Sequence, residues 1–172
     1  PDRLFDKKVW SIPRSLPSED SLVKAINIIK KATRPVIIAG GGVIYSAAEE
    51  VLSDFCNTSG IPIVETQAGK GSLSWDHEQN LGAVGVTGTS AANLIAQKSD
   101  LVICIGTRLS DFTTASKTLF RNPGVSFLSI NVSSFDAHKH SSLSLIGDAK
   151  ACLEDFHKKL KQEDFSVSKK YK

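Results

Sequence analysis

The stretch Lys31–Gly42, KATRPVIIAGGG, decides the fold class of this chain. Its apolar, β-branched part is typical of a buried strand, and three glycines end that strand before a helical pattern begins. The segment IPIV at 61–64 follows that helix and predicts a second strand. A strand, a glycine turn and a helix that leads to another strand place a crevice at the carboxyl end of a parallel sheet. The stretch therefore predicts an α/β fold.

The rest of the chain repeats this alternation. We expect helices after Ser18, after a capping box formed by Ser46 and Glu49, after Thr89 or Ser90 and after Asp148, and further strands at 101–105, 127–132 and 143–146. Residues 66–83 are predicted to form a long loop with one helical turn. Right-handed crossovers then gather the loops after Ala39, Val64, Ile105 and Asn131 at one edge of a mostly parallel sheet.

Composition divides the chain into three parts. Residues 1–17 contain three prolines and no clean period, so we predict an N-terminal arm or interdomain linker whose Trp10 lies against a surface. Residues 18–162 form the domain, and residues 163–172 form a tail. The net charge is only +3, and its lysines concentrate in the last helix and the tail. That pattern is typical of a solvated end, so we expect no nucleic-acid partner.

Cysteine usage and hydropathy limit the cellular location. The three cysteines form no CxxC pair, which favours free thiols in a reducing compartment and no structural zinc site. No apolar run approaches the roughly 20 residues of a membrane helix, and the charged start PDRLFDKKVW is unlike a signal peptide. We therefore expect a cytoplasmic protein without membrane contact. The histidines are scattered among polar residues, so the sequence predicts no catalytic residue and no metal ligand in this chain.

The first glycine segment is an incomplete dinucleotide fingerprint. Gly40 and Gly42 fit GxGxxG, but Tyr45 occupies the position of the third glycine. Glu65 stands about where an acidic residue would contact a ribose. The alternative is a tight turn in which the glycines adopt a positive φ.

Two other segments are better candidates for an anion or nucleotide crevice. Gly85, Gly88 and Thr89 precede a helix, where backbone amides can approach a phosphate; the alternative is a turn with a helix N-cap. Gly106, Thr107 and Arg108 directly follow a buried strand. The Arg108 guanidinium suits fork-like phosphate recognition, and the alternative is a salt bridge to Asp100 or Asp111.

Several segments, in chain order from about residue 18 to 160, resemble the central domain of thiamine-diphosphate-dependent enzymes of the acetolactate synthase type. They are RPVIIAGGG, GIPIVETQAGKGSL, DHEQNLGAVGVTGTSAAN, DLVICIGTRLSDFTT, FLSINVSSFDAHK and LIGDAKACLEDF. The resemblance implies a three-layer, Rossmann-like domain of the DHS-like NAD/FAD-binding class. Four segments narrow the resemblance to members that hydrolyse a carbon–carbon bond of a cyclic dione in inositol catabolism: FDKKVWSIPR, ETQAGKGSL, GAVGVTGTSAAN and GTRLSDFTTAS. A carboligase or decarboxylase of the acetolactate synthase type is the alternative.

The resemblance also implies where the cofactors bind. A pyrimidine-activating domain and a diphosphate-binding domain flank the central domain in this family, so thiamine diphosphate and Mg²⁺ would bind outside this chain. The chain alone would then be non-catalytic, would expose apolar surface at Trp10, Trp75 and Phe112, and would belong to a homo-oligomer, a dimer or a tetramer.

The crevice residues carry a second implication of the resemblance. Flavin-bearing relatives bind FAD with segments that correspond to residues 85–89 and 106–112. Arg108 and Asp111 match the second segment, whereas Phe112 replaces its second arginine. FAD or ADP in the crevice, an empty crevice and a freestanding nucleotide-binding module therefore all stay open. The candidate cofactor-binding residues are Gly85, Gly88, Thr89, Gly106, Thr107 and Arg108.

Overall fold

A computed structural model describes residues 2–9, 11–168 and 171. The strands are β1 Pro35–Ala39, β2 Ile63–Glu65, β3 Asn80–Ala83, β4 Leu101–Ile105, β5 Ser126–Asn131 and β6 Leu143–Ile146. The α-helices are α1 Glu19–Lys31, α2 Gly41–Tyr45, α3 Glu49–Ser59, α4 Ser90–Lys98, α5 Asp111–Thr114, α6 Ser134–Ala137 and α7 Ala149–Gln162. Short 3-10 turns lie at Asp2–Phe5, Gln67–Gly69 and Lys139–Ser141.

The six strands form one parallel sheet in the order β3-β2-β1-β4-β5-β6. Strands β2 and β3 are added in turn on one side of β1. Strand β4 then pairs with the other side of β1, and β5 and β6 follow on that side. The sheet therefore changes direction between β1 and β4, which is the topological switch point where open α/β sheets bind ligands. Both of these strands are buried at every residue, as the apolar runs predict.

Two apolar layers cover the sheet. On one face, α1, α3 and α7 supply buried side chains such as Leu22, Phe55 and Phe156. On the other face, α4 packs Ala92 and Ala96 against the sheet. This arrangement confirms the predicted three-layer, Rossmann-like α/β fold.

The helix starts agree with the sequence at three of four positions. The side chains of Ser18, Thr89 and Asp148 each accept a hydrogen bond from a backbone N–H of the first turn that follows. The capping box at Ser46 and Glu49 is wrong. Helix α2 begins directly after Gly40, so Ser46 lies at its end and its Oγ donates to the Gly42 carbonyl at 2.6 Å. Helix α3 starts after Ala48 without a side-chain cap.

The region 66–83 is the main departure from the predicted loop. It contains the expected helical turn, but its last four residues form the edge strand β3, which pairs with β2. The segment NLGA has no alternating apolar pattern and contains a glycine, so its strand structure comes from pairing with β2 rather than from local preference. Strands β2 and β5 also begin or end one or two residues away from the predicted limits.

The three cysteines have the state that the sequence predicts. Cys56, Cys104 and Cys152 are free and buried, and burial raises the pKa of the Cys56 thiol to about 12. Trp75 and Phe112 are exposed, at 88% and 54%, as the resemblance implies. Trp10 and the tail lysines 169, 170 and 172 lie outside the described residues. None of the described helices has the length and apolar composition needed to cross a membrane.

The backbones of the loops after β1 and β4 touch at the switch point. The Gly42 N–H donates to the Gly106 carbonyl at 3.0 Å, and the Gly40 N–H donates to the Ile105 carbonyl at 2.8 Å. A Cβ on Gly42 would lie 2.6 Å from the Gly106 Cα, and a Cβ on Gly40 would lie 2.3 Å from the Gly106 carbonyl oxygen. Real Cβ atoms do not approach other atoms this closely, so only glycine allows the contact.

Replacing Gly42 with alanine should therefore separate the two loops. We expect Gly42→Ala to lower the free energy of unfolding by about 2–4 kcal/mol, because the clash is with backbone that cannot move aside. Gly124→Ala is the matched control, since its Cβ would meet only the Asn122 Oδ1, at 3.6 Å. Urea denaturation of both variants measures the difference. Equal stability would show that the close contact is not needed.

Candidate functional site

A crevice of about 630 Å³ opens at the carboxyl end of the sheet, over the switch point. Helix α2 and the segments that follow β2, β4, β5 and β6 form its walls, and Ile12 of the N-terminal arm adds one side chain. A volume of this size accommodates a small organic ligand. The position agrees with the predicted meeting of the loops after Ala39, Val64, Ile105 and Asn131.

The three glycines after β1 shape the crevice by close packing. The φ of Gly40 is −108°, and Gly41 and Gly42 also stay outside the positive-φ region. The suggestion of a positive-φ turn is therefore wrong at these positions. Gly40 and Gly42 are required because they pack directly against Gly106, which does have a positive φ of 59°. Gly41 and Gly42 line the crevice.

The segment after β4 contributes Gly106, Thr107 and Arg108 to the crevice, as the sequence predicts. Thr107 is buried, and its carbonyl accepts a hydrogen bond of 3.0 Å from the Asn131 Nδ2 at the end of β5. The Arg108 carbonyl accepts a hydrogen bond of 2.8 Å from the Lys139 Nζ. Both bonds fix the backbone from which the Arg108 side chain extends.

The Arg108 guanidinium forms no ion pair with a carboxylate of the described residues. Among the residues that the structure describes, no carboxylate lies within 4.0 Å of its guanidinium. Asp100 instead accepts hydrogen bonds from the backbone N–H groups of Thr33 and Arg34. The alternative of a salt bridge to Asp100 or Asp111 is therefore wrong, and the guanidinium stays available to an anion.

The segment Gly85–Thr89 lies beside the crevice and contributes Thr87 to its lining, whereas Gly85, Gly88 and Thr89 do not line it. Their amides have partners within the fold. The N–H of Gly85 donates to the Asn93 Oδ1, that of Gly88 to the Gly85 carbonyl, and that of Thr89 to the Ala83 carbonyl. The geometry therefore matches a turn with a helix N-cap. A role of these three residues in binding a cofactor stays a prediction.

Glu65 does not face the crevice. The residue is only 6% exposed, and its Oε1 accepts hydrogen bonds of 3.1 Å from the N–H groups of Gly71 and Leu73. The carboxylate thus anchors the loop after β2, and Glu65 is absent from the residues that line the crevice. The contact with a ribose that its position suggests is wrong for this reason.

Sequence reasoning missed several residues of the site. Asn131 is the last residue of β5, at the carboxyl edge of the sheet, and that position is the available signal. The sequence predicts Asp148 as a helix cap, but Asp148 also lines the crevice. Tyr45, Gln67 and Val132 line it as well. They give no signal in sequence, because they approach one another only through the fold.

The described residues include no group of three histidine, cysteine, aspartate or glutamate side chains that could hold a metal ion. Arg108 and Asp148 are the charged residues among those that line the crevice.

The parallel sheet, its switch point and the crevice define a doubly wound, Rossmann-like α/β domain. The chain belongs, more specifically, to the family described as "thiamine pyrophosphate enzyme, central domain", whose model matches residues 22–156. The family resemblance in the sequence is thereby confirmed.

Similar curated proteins carry one common name, 3D-(3,5/4)-trihydroxycyclohexane-1,2-dione hydrolase. One from Clostridium botulinum is 52% identical over 170 residues, which cover 99% of this chain and 26% of that protein. One from Clostridium perfringens is 48% identical over 168 residues, or 98% and 26% of the two chains. One from Bacillus thuringiensis is 53% identical over 153 residues, or 89% and 24%. The chain therefore spans about a quarter of the length of these relatives.

Removing the Glu65 carboxylate should release the loop after β2. We expect Glu65→Ala to lower the free energy of unfolding by about 1–3 kcal/mol, because the buried Leu73 amide and the partly buried Gly71 amide lose their acceptor. The amides of Gly71 and Leu73 should then exchange hydrogen faster. Glu65→Gln is the matched control, since a glutamine Oε1 can accept both bonds. Unchanged exchange in Glu65→Ala would contradict the anchoring role.

Proposed function

We propose that this chain is the central domain of a thiamine-diphosphate-dependent enzyme that hydrolyses a carbon–carbon bond of 3D-(3,5/4)-trihydroxycyclohexane-1,2-dione in inositol catabolism. The observation that carries the proposal is an identity near 50% over almost the whole chain with proteins of that name. We refer to the longer protein as the parent enzyme. A carboligase or decarboxylase of the acetolactate synthase type is the competing assignment.

The proposal gives this chain a structural role in the parent enzyme. Thiamine diphosphate, when bound with Mg²⁺, supplies a nucleophilic carbon for attack on a ketone, and we assign both to the flanking domains. The high exposure of Trp75 and Phe112 supports contacts between these domains and this chain, because large apolar side chains on a surface mark interaction sites. A homo-oligomeric parent, a dimer or a tetramer, and a cytoplasmic location are part of the same proposal.

We also propose the division of the chain into an arm at 1–17, a domain at 18–162 and a tail at 163–172. The family match at 22–156 lies inside the proposed domain.

The parent enzyme should consume the cyclic dione only when thiamine diphosphate and Mg²⁺ are both present. The present chain alone should show no turnover, because the cofactor would bind outside it. Chromatographic measurement of substrate loss, with each cofactor omitted in turn, tests this expectation. Condensation of pyruvate without cleavage of the dione would favour the carboligase, and turnover by the chain alone would contradict the structural role.

A second proposal concerns the crevice, which we infer binds an adenine nucleotide such as ADP or the corresponding part of FAD. Its volume, its position at the switch point and the unpaired Arg108 guanidinium all support a ligand with a planar ring and phosphates. The three residues Gly106, Thr107 and Arg108 line it. This function does not require the flanking domains, so a freestanding nucleotide-binding module would share it.

Calorimetric titration of the chain with ADP tests the crevice proposal. We expect Arg108→Gln to weaken binding about tenfold or more, because a charge-assisted hydrogen bond to phosphate is lost. Arg34→Gln is the matched control, since Arg34 is also exposed but precedes β1 at the opposite edge of the sheet. Equal loss in both variants would point to general charge attraction instead of a site.

A further inference from the structure

The last residues of the N-terminal arm are fixed beside the crevice. We call residues 12–17 the strap. The Asp148 N–H donates to the Ser15 carbonyl at 2.8 Å, and Ile12 lines the crevice although it is 71% exposed. A Cβ on Gly147 would lie 2.8 Å from the Pro17 Cδ, so this glycine leaves the space in which the strap lies.

Arg14 joins the strap to two elements of the crevice wall. Its Nη1 donates to the Ser46 carbonyl at the end of α2 and to the Asp148 Oδ2 at the start of α7, both at 2.8 Å. Ser46 and Asp148 both line the crevice. The Asp148 side chain is 6% exposed, and a buried carboxylate is costly unless a cation or several donors compensate it.

The ion pair between Arg14 and Asp148 affects the net charge of the crevice. Of the described residues that line the crevice, Asp148 is the acidic one and Arg108 is the basic one. While the strap is docked, Arg14 compensates Asp148 and leaves the positive charge of Arg108 to attract an anion. If the strap lifts, the Asp148 carboxylate is no longer paired with Arg14 and opposes that attraction, since a buried charge is screened less than an exposed one.

We propose that the strap is an electrostatic latch on the crevice: docking through Arg14 makes the crevice receptive to a phosphate-bearing ligand, and release lowers its affinity. The latch rests on the nucleotide crevice proposed above. Because linkage is reciprocal, a bound nucleotide stabilises the docked strap by the same factor.

Asp148 allows its charge to be removed without loss of its structural role. Its Oδ1 accepts a hydrogen bond from the Ala151 N–H and caps α7. Asparagine caps helices about as well as aspartate, so Asp148→Asn removes the charge and retains the cap. Arg14→Gln removes the cation and retains a polar side chain.

Calorimetric titration of the whole chain with ADP tests the latch in four variants. We expect Arg14→Gln to weaken binding about fivefold or more, within the usual range of coupling between sites. Asp148→Asn should bind at least as well as the unmodified chain. The double variant should bind like Asp148→Asn, because no charge is left to compensate. Lys24→Gln, which breaks the exposed Lys24–Asp20 pair, is the control and should leave binding unchanged.

Hydrogen exchange at the Asp148 amide measures independently whether the strap is docked, because this N–H donates to the Ser15 carbonyl of the strap. ADP should slow its exchange in the unmodified chain, and Arg14→Gln should speed it without ligand.

Each outcome decides between the two proposals. Unchanged ADP affinity in Arg14→Gln overturns the latch, while loss of affinity in Arg108→Gln alone leaves the crevice proposal standing. A double variant as weak as Arg14→Gln overturns the electrostatic origin of the latch. If the unmodified chain and all variants fail to bind ADP, the crevice proposal fails, and the latch fails with it.

Discussion

The backbone contact between the loops after β1 and β4 is the constraint on which the rest of the structure depends. Gly42 and Gly106 approach so closely that neither position has room for a Cβ. This contact brings the carboxyl ends of the two central strands together, although about 60 residues separate them in the chain. The crevice lies over this contact, and its shape follows from how little space the glycines occupy. A glycine triplet that suggests phosphate binding is thus explained first by packing.

Polar side chains hold the loops that surround this contact. Glu65 anchors the loop after β2, Asn131 connects the ends of β4 and β5, and Lys139 holds the Arg108 carbonyl. Each of them bonds backbone groups that a strand would otherwise satisfy, so irregular chain can lie close to the core without orphaned amides. The crevice is therefore largely pre-formed, with Arg108 extending from a fixed backbone.

The features that sequence predicts best are those that local pattern determines. The apolar runs of β1 and β4 and the side-chain caps at Ser18, Thr89 and Asp148 depend on residues within one turn or one strand. The strand β3 could not be predicted in the same way, because its structure depends on pairing with β2. The capping box at Ser46 is wrong because a short helix in front of it ends at Ser46. The contact of Arg14 with the crevice wall has no signal in the sequence, since its partner Asp148 lies 134 positions away.

The irregular edge strand β3 affects how readily the domain can add a strand from another chain. An open parallel sheet exposes unpaired backbone groups along its outer strands, and such strands can recruit further chains. Strand β3 has four residues, an irregular register against β2 and a glycine at position 82 with a φ of 86°. These irregularities make it a poor template for strand addition. At the start of α4, the Thr89 Oγ1 donates to the Leu81 carbonyl and the Thr89 N–H to the Ala83 carbonyl, so two carbonyls of this edge already have partners.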